Sequence, residues 1–98
     1  MSSEALVVVA TFRAAPGRIA DLRRRLEEMI EPSRAESTCR RYELFDSVDD
    51  PDVLFFDEEW ASKEAHDAHL RTPHVLRLLV DLEGLIDGRV VEYRGVRH

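Results

Sequence analysis

The stretch "CRRYELFDSVDDPDVLFFDEEW" (39–60) decides how the chain is read. Two runs rich in β-branched and aromatic residues, 39–47 and 52–60, flank "VDDPD" (48–52), a turn-forming cluster, which predicts a β-hairpin. In the second run Leu54 and Phe56 fall on one face and Val53 and Phe55 on the other. "ALVVVATFR" (5–13) has the same character: Leu6, Val8 and Phe12 oppose Val7 and Val9. A fourth such run, "RVVEYRGV" (89–96), follows the turn at Asp87–Gly88.

Helices fill the gaps. After "APG" (15–17), apolar residues Ile19, Leu22, Leu26, Met29 and Ile30 recur at helical spacing, and Pro32 is expected to kink or stop that helix. Ser62 can cap a short helix over 63–71. Thr72 followed by Pro73 reads as a second cap with proline at the first helical position, opening a helix through Leu82 that Gly84 ends. The order β-α-β-β-α(α)-β predicts an α+β, ferredoxin-like fold over a single domain, 1–98: a four-stranded antiparallel sheet with its helices on one face. Helices can cover only one side of a sheet whose middle strands are apolar on both. The bare face is a patch that demands a partner, and a second copy docked sheet against sheet supplies one, so a homodimer is expected.

The 98 residues carry a formal charge of −6 with the acids dispersed, which argues against a nucleic-acid partner. The basic run Arg23–Arg25 is interleaved with Asp21, Glu27 and Glu28, as on a solvated helix face. No apolar run reaches the roughly 20 residues of a membrane span, and the opening residues lack a basic leader, so no membrane partner is expected. A lone cysteine, Cys39, fits a reducing cytoplasm and a place in the core.

Residues 42–74 resemble the central signature of the antibiotic biosynthesis monooxygenase family. The matching pieces are Tyr42–Leu44, Pro51 in the hairpin, Glu58 with Trp60, Ser62 with Glu64 and Ala65, and "AHLRTPH" at 68–74; the "PG" turn and the Glu36-to-Cys39 spacing fit too. Family members usually have glycine where this chain has Thr38. The resemblance implies a dimeric α+β barrel, a small-molecule pocket between sheet and helices, and cofactor-free oxidation of a phenol or anthrone to a quinone. One branch of the family degrades haem with an asparagine, a tryptophan and a histidine; those positions fall here on Ala10, His69 and Leu79, so haem chemistry is not expected. Other members act as isomerases or on quinones, and a non-catalytic binding dimer on the same fold stays open.

On a helix over 63–71, His69 falls in the middle of the apolar arc and points inward, either as a hydrogen-bonded core residue or as a pocket base. His66 is placed at the pocket rim. His74 falls in the first turn after the Thr72 cap, beyond a chain reversal, so the three histidines are not expected to converge on a metal. Glu58 and Trp60, two apart, share a strand face with Leu54 and Phe56. That setting desolvates the carboxylate and raises its pKa, making a proton acceptor unless another side chain pairs with it. The catalytic candidates are His69, Glu58 and Tyr42, the last as donor to a substrate oxygen. Phe12, Phe56, Trp60 and His66 are the candidate substrate contacts around a small aromatic molecule, with no cofactor and no metal.

Overall fold

A computed structural model describes residues 4–98; the first three residues of the expected 1–98 domain lie outside it. Strand β1 (Leu6–Arg13) leads through the Gly17 turn to helix α1 (Ile19–Glu27) and the short α2 (Ile30–Arg34). The hairpin β2 (Cys39–Asp46) and β3 (Val53–Trp60) follows, then α3 (Lys63–His69), α4 (Pro73–Asp81) and β4 (Val91–Gly95). The strands form one antiparallel sheet in the order β2-β3-β1-β4. This is the α+β ferredoxin-like arrangement read from the sequence.

Period-two alternation sorts the sheet. Leu6, Val8, Ala10 and Phe12 of β1 and Leu54, Phe56, Glu58 and Trp60 of β3 are buried beneath the helices, with Tyr42 of β2 beside them. Leu22, Leu26, Met29, Val75, Leu78 and Leu82 descend from the helices onto that face. On the far face, Val7, Val9, Val53 and Phe55 are only half-buried, and Phe45, Val91 and Tyr93 are exposed. That face is not uniformly apolar. Beside Val7 and Val9, whose strand partners are Glu59 and Asp57, Arg41 reaches both acids at 2.9 Å, so those charges are satisfied within the sheet.

The first helix breaks earlier than the sequence suggested. The chain leaves α1 after Glu27 and restarts at Ile30, with Pro32 inside the second piece. A proline ring clashes with the carbonyl four residues back, here that of Glu28, so the interruption falls one turn ahead of the proline. The last strand is also shorter than 89–96, and Val90 packs against the core just ahead of it. Thr38 needs no glycine-like backbone, because no described non-glycine residue has positive φ.

The capping assignments hold. The Ser62 hydroxyl accepts from the Ala65 amide at 3.1 Å. The Thr72 hydroxyl accepts from the Val75 amide at 3.4 Å and donates to the His69 carbonyl at 2.7 Å, tying the end of α3 to the start of α4. Arg23, Arg24 and Arg25 meet Asp46, Asp21 and Asp81 on the helix surface. Among the described residues, no helix is long and apolar enough to cross a membrane.

Two substitutions gauge these contacts. Thr72→Ala should cost about 1 kcal/mol, and Leu26→Ala, at a fully buried position, 2 to 5 kcal/mol by rough order. Both should lower the urea midpoint without changing the slope of the transition.

Candidate functional site

A cavity of about 240 Å³ opens between sheet and helices. Its floor is the inner sheet face: Ala10 and Phe12 of β1, Tyr42 of β2, Phe56 and Glu58 of β3, and Glu92 of β4. Its roof comes from Met29, His69, Leu70, Val75, Leu78, Leu79 and Leu82, with Val90 at one side. The Tyr42 ring lies 4.5 Å from Phe56, and Phe12 meets Phe56 edge-on at 5.8 Å, so the floor is largely aromatic.

Of the seven side chains singled out from sequence, five line the cavity: Phe12, Tyr42, Phe56, Glu58 and His69. Trp60 and His66 do not. Both are fully buried behind it, so His66 is a core residue rather than a rim one, and Trp60 touches the lining residues Glu58 and His69 from behind. The reason lies in helix geometry: α3 packs against β3, and the edge of its apolar arc, where His66 sits, is turned into the sheet.

Glu58 is 3% exposed. Its Oε1 accepts a 2.8 Å bond from the Trp60 indole, not from the tyrosine, arginine or histidine that a purely structural carboxylate would favour. Burial pushes its pKa up to about 7, the indole bond opposes this, and the charge of Glu92 adds to it. Glu92 is itself raised by burial, with Arg94 opposing. The Tyr42 phenol is pushed above its ordinary range, by burial first and then by the Glu58 charge. Tyr42 is therefore a neutral donor at physiological pH.

Burial, and then the neighbouring charges of His69 and Arg94, hold His66 neutral by bringing its pKa down to about 4. Arg94 Nη1 approaches its Nδ1 at 3.4 Å, which leaves the proton on Nε2. That Nε2 has no hydrogen-bond partner among the described residues; Glu58 Oε1 stands 3.9 Å away and Glu92 Oε2 3.8 Å.

His69 has a different environment. Its Nδ1 meets Glu36 Oε2 at 2.7 Å, and its ring stacks on Trp60 with centroids 4.3 Å apart. Burial lowers its pKa while the Glu36 carboxylate pulls the other way. A carboxylate accepting from Nδ1–H fixes the tautomer with a free lone pair on Nε2, on a residue that lines the cavity. His69 is thus hydrogen-bonded in the core and also lines the pocket.

His74 corrects the sequence reading. The chain reversal at Pro73 was expected to carry it away, yet its Nε2 meets the same Glu36 oxygen at 2.8 Å. The tight Thr72 corner folds the start of α4 back beside the end of α3. Sequence reasoning also missed Glu92 as a cavity acid, although its alternation with Val91 and Tyr93 places it on the inner face. Glu36 could not be found that way, because it lies in a turn with no periodicity to read.

These residues fall in a recognised pattern: the model of the family described as "Antibiotic biosynthesis monooxygenase" matches residues 5–79. The chain belongs to the antibiotic biosynthesis monooxygenase family. It is 39% identical over 71 residues to Rv0793 of Mycobacterium tuberculosis, a protein named as a candidate monooxygenase, covering 72% of this chain and 69% of that one. The solved structure of Rv0793 superposes with a TM-score of 0.90 at 32% identity, over 96% of this chain and 95% of that one. PA3566 from Pseudomonas aeruginosa gives a TM-score of 0.92 at 33% identity, over 100% and 98% of the two chains. The positions that the haem-degrading branch would use, Ala10, His69 and Leu79, all line the cavity, but Leu79 offers no ligand where that branch has its histidine.

The Glu58 environment has a measurable consequence. Between its unperturbed value of 4.5 and about 7, the folded chain holds a proton that the unfolded chain has released, so stability falls as pH rises through this window. Glu58→Gln removes that term. The variant should gain on the parent by up to about 3 kcal/mol between pH 4.5 and pH 8, read from urea unfolding across that range. A difference independent of pH would contradict the assignment.

Proposed function

We propose that the chain is a cofactor-independent monooxygenase that oxidises a small neutral phenol to a quinone with O2, working as a homodimer. The observation that supports this most is Glu58: a cavity carboxylate with a pKa near 7 among aromatic walls, matched to accepting a phenolic proton at neutral pH. No lysine or arginine lines the cavity, which favours an uncharged substrate over a carboxylate or phosphate. Size narrows it further. A cavity near 150 Å³ holds a benzene ring, so 240 Å³ suits one or two rings better than a three-ring anthrone.

In this reading Tyr42 donates to a substrate oxygen while Glu58 takes the phenolic proton. The phenolate passes one electron to O2, and superoxide couples to a ring carbon. The resulting peroxide anion recovers its proton from Glu58. His69 Nε2 then removes the hydrogen on that carbon as the O–O bond breaks, and the departing hydroxide leaves as water with that proton. The sum is phenol plus O2 giving quinone plus water. Phe12 and Phe56 position the ring, and the apolar roof keeps bulk water from the anion. Trp60, behind the wall, holds Glu58 rather than touches the substrate, and His66 packs beside it.

The test is O2 uptake with one-, two- and three-ring phenols and anthrones, without added cofactor. Turnover should place one atom of 18O2 in each quinone and should rise with pH, half-maximal near 7. Glu58→Gln should lower kcat/KM by about 10² to 10⁴-fold. Turnover under anaerobic conditions would instead indicate an isomerase. The homodimer is supported by the half-buried Val7, Val9, Val53 and Phe55, which no element of this chain covers. Sedimentation should find two-chain particles that Phe55→Lys converts to monomers.

A further inference from the structure

The cavity reading leaves Glu36 and His74 unused, and they make a distinct cluster with His69. Glu36 lies in the turn between α2 and β2, His69 ends α3, and His74 sits in the first turn of α4. Three separate elements thus bring one carboxylate oxygen and two imidazole nitrogens within 4.8 Å of one another. We propose that Glu36, His69 and His74 form a binding site for a divalent transition-metal ion such as Zn²⁺.

The donor set sets the ion class. Two imidazoles and a carboxylate suit zinc, iron, cobalt or nickel and disfavour magnesium and calcium, which take oxygen ligands. Both imidazole N–H groups point at one oxygen, Glu36 Oε2, at 2.7 and 2.8 Å, so replacing two protons with one cation keeps every partner in place. Zinc bonds of about 2.0 to 2.1 Å in a tetrahedron set neighbouring donors about 3.3 Å apart. The three donor atoms, within 4.8 Å of one another with the oxygen 2.7 and 2.8 Å from the nitrogens, bracket that spacing.

The corner that carries the ligands is fixed. Thr72 bonds the His69 carbonyl, and its hydroxyl caps α4 at Val75. Access is available from outside. His69 is sealed at 3% exposure, but the Glu36 and His74 side chains are 18% and 19% exposed. His74 lines an outer groove together with Pro32, Pro73 and Met29, and Met29 also lines the inner cavity. The cluster therefore stands in the partition between groove and cavity. Three protein ligands leave one position open to water from the groove.

Occupancy would also be felt in the cavity. With the ion on Nδ1, the remaining proton of His69 moves to Nε2, and that nitrogen of a cavity-lining residue changes from acceptor to donor. The site itself does not rest on the oxygenase reading and is tested without turnover.

Purified full-length protein, stripped with chelator and dialysed against Zn²⁺, should retain one ion per chain by elemental analysis. Its melting temperature should rise with Zn²⁺ concentration and stay unmoved by Mg²⁺. His74→Ala and Glu36→Gln should each weaken binding at least tenfold, while Glu28→Gln, which removes an acid of the outer groove, should leave it unchanged. Should either ligand variant fold poorly, His74→Gln and proton NMR of the His69 and His74 rings during Zn²⁺ titration report on the same contacts. Retention well below one ion per chain, or undiminished binding by folded His74 variants, would overturn the proposal.

Discussion

A carboxylate taken out of water must be compensated, and on the inner sheet face Glu58 has one close donor, the Trp60 indole. Much of the surrounding architecture follows from keeping that pair together. Period two in β3 puts the acid and the indole on the same side as Leu54 and Phe56. α3 then lays His66 and His69 over the indole, with ring centroids 6.0 and 4.3 Å away. The acid ends up under-compensated, and its raised pKa measures by how much. A fully paired Glu58 would be a strut with no affinity for protons at neutral pH. Incomplete pairing leaves it able to take up a proton near neutral pH, and it is also what makes it a burden on stability above pH 7.

The fold was readable because its signals are local and periodic. Alternation in β1 and β3 gave the two faces, the helical spacing of Ile19, Leu22 and Leu26 gave α1, and Ser62 and Thr72 marked two helix starts that the hydrogen bonds reproduce. The same logic placed Phe56, Glu58 and Trp60 on one surface. It was less reliable where position depends on packing between elements. His66 sits at the edge of a helical arc, and whether an edge residue is rim or core depends on how far the helix rolls onto the sheet. His74 was separated from His69 on paper by a reversal, but a reversal this tight brings residues together. Pro32 showed the same limit on a smaller scale, because its steric effect acts on the preceding turn.

Charge is distributed with a similar division. The outer sheet face pairs its ionic residues among its apolar ones: Arg41 spans Asp57 and Glu59, the strand partners of Val9 and Val7, Arg13 opposite Val53 meets Asp50, and Phe45 stacks on Phe55 at 5.3 Å. Among the described residues the cavity is lined by acids without a basic neighbour: Glu58 and Glu92 both feel desolvation, and Arg94, whose charge opposes the shift of Glu92, meets Asp67 at 2.7 Å. The interior is thus biased toward holding protons, while the exterior ion pairs are close to neutral and worth little individually.

The cavity takes Leu82, Val90 and Glu92 from beyond residue 79, where the family match stops. β4 is bonded to the sheet through β1 alone, so its residues can change with little disturbance to the pairing of the other three strands. The segment that the family model matches carries the buried acid and its indole, and the residues after it complete one wall of the chamber. That wall can therefore change shape at the edge of the sheet while the acid and the indole stay as they are.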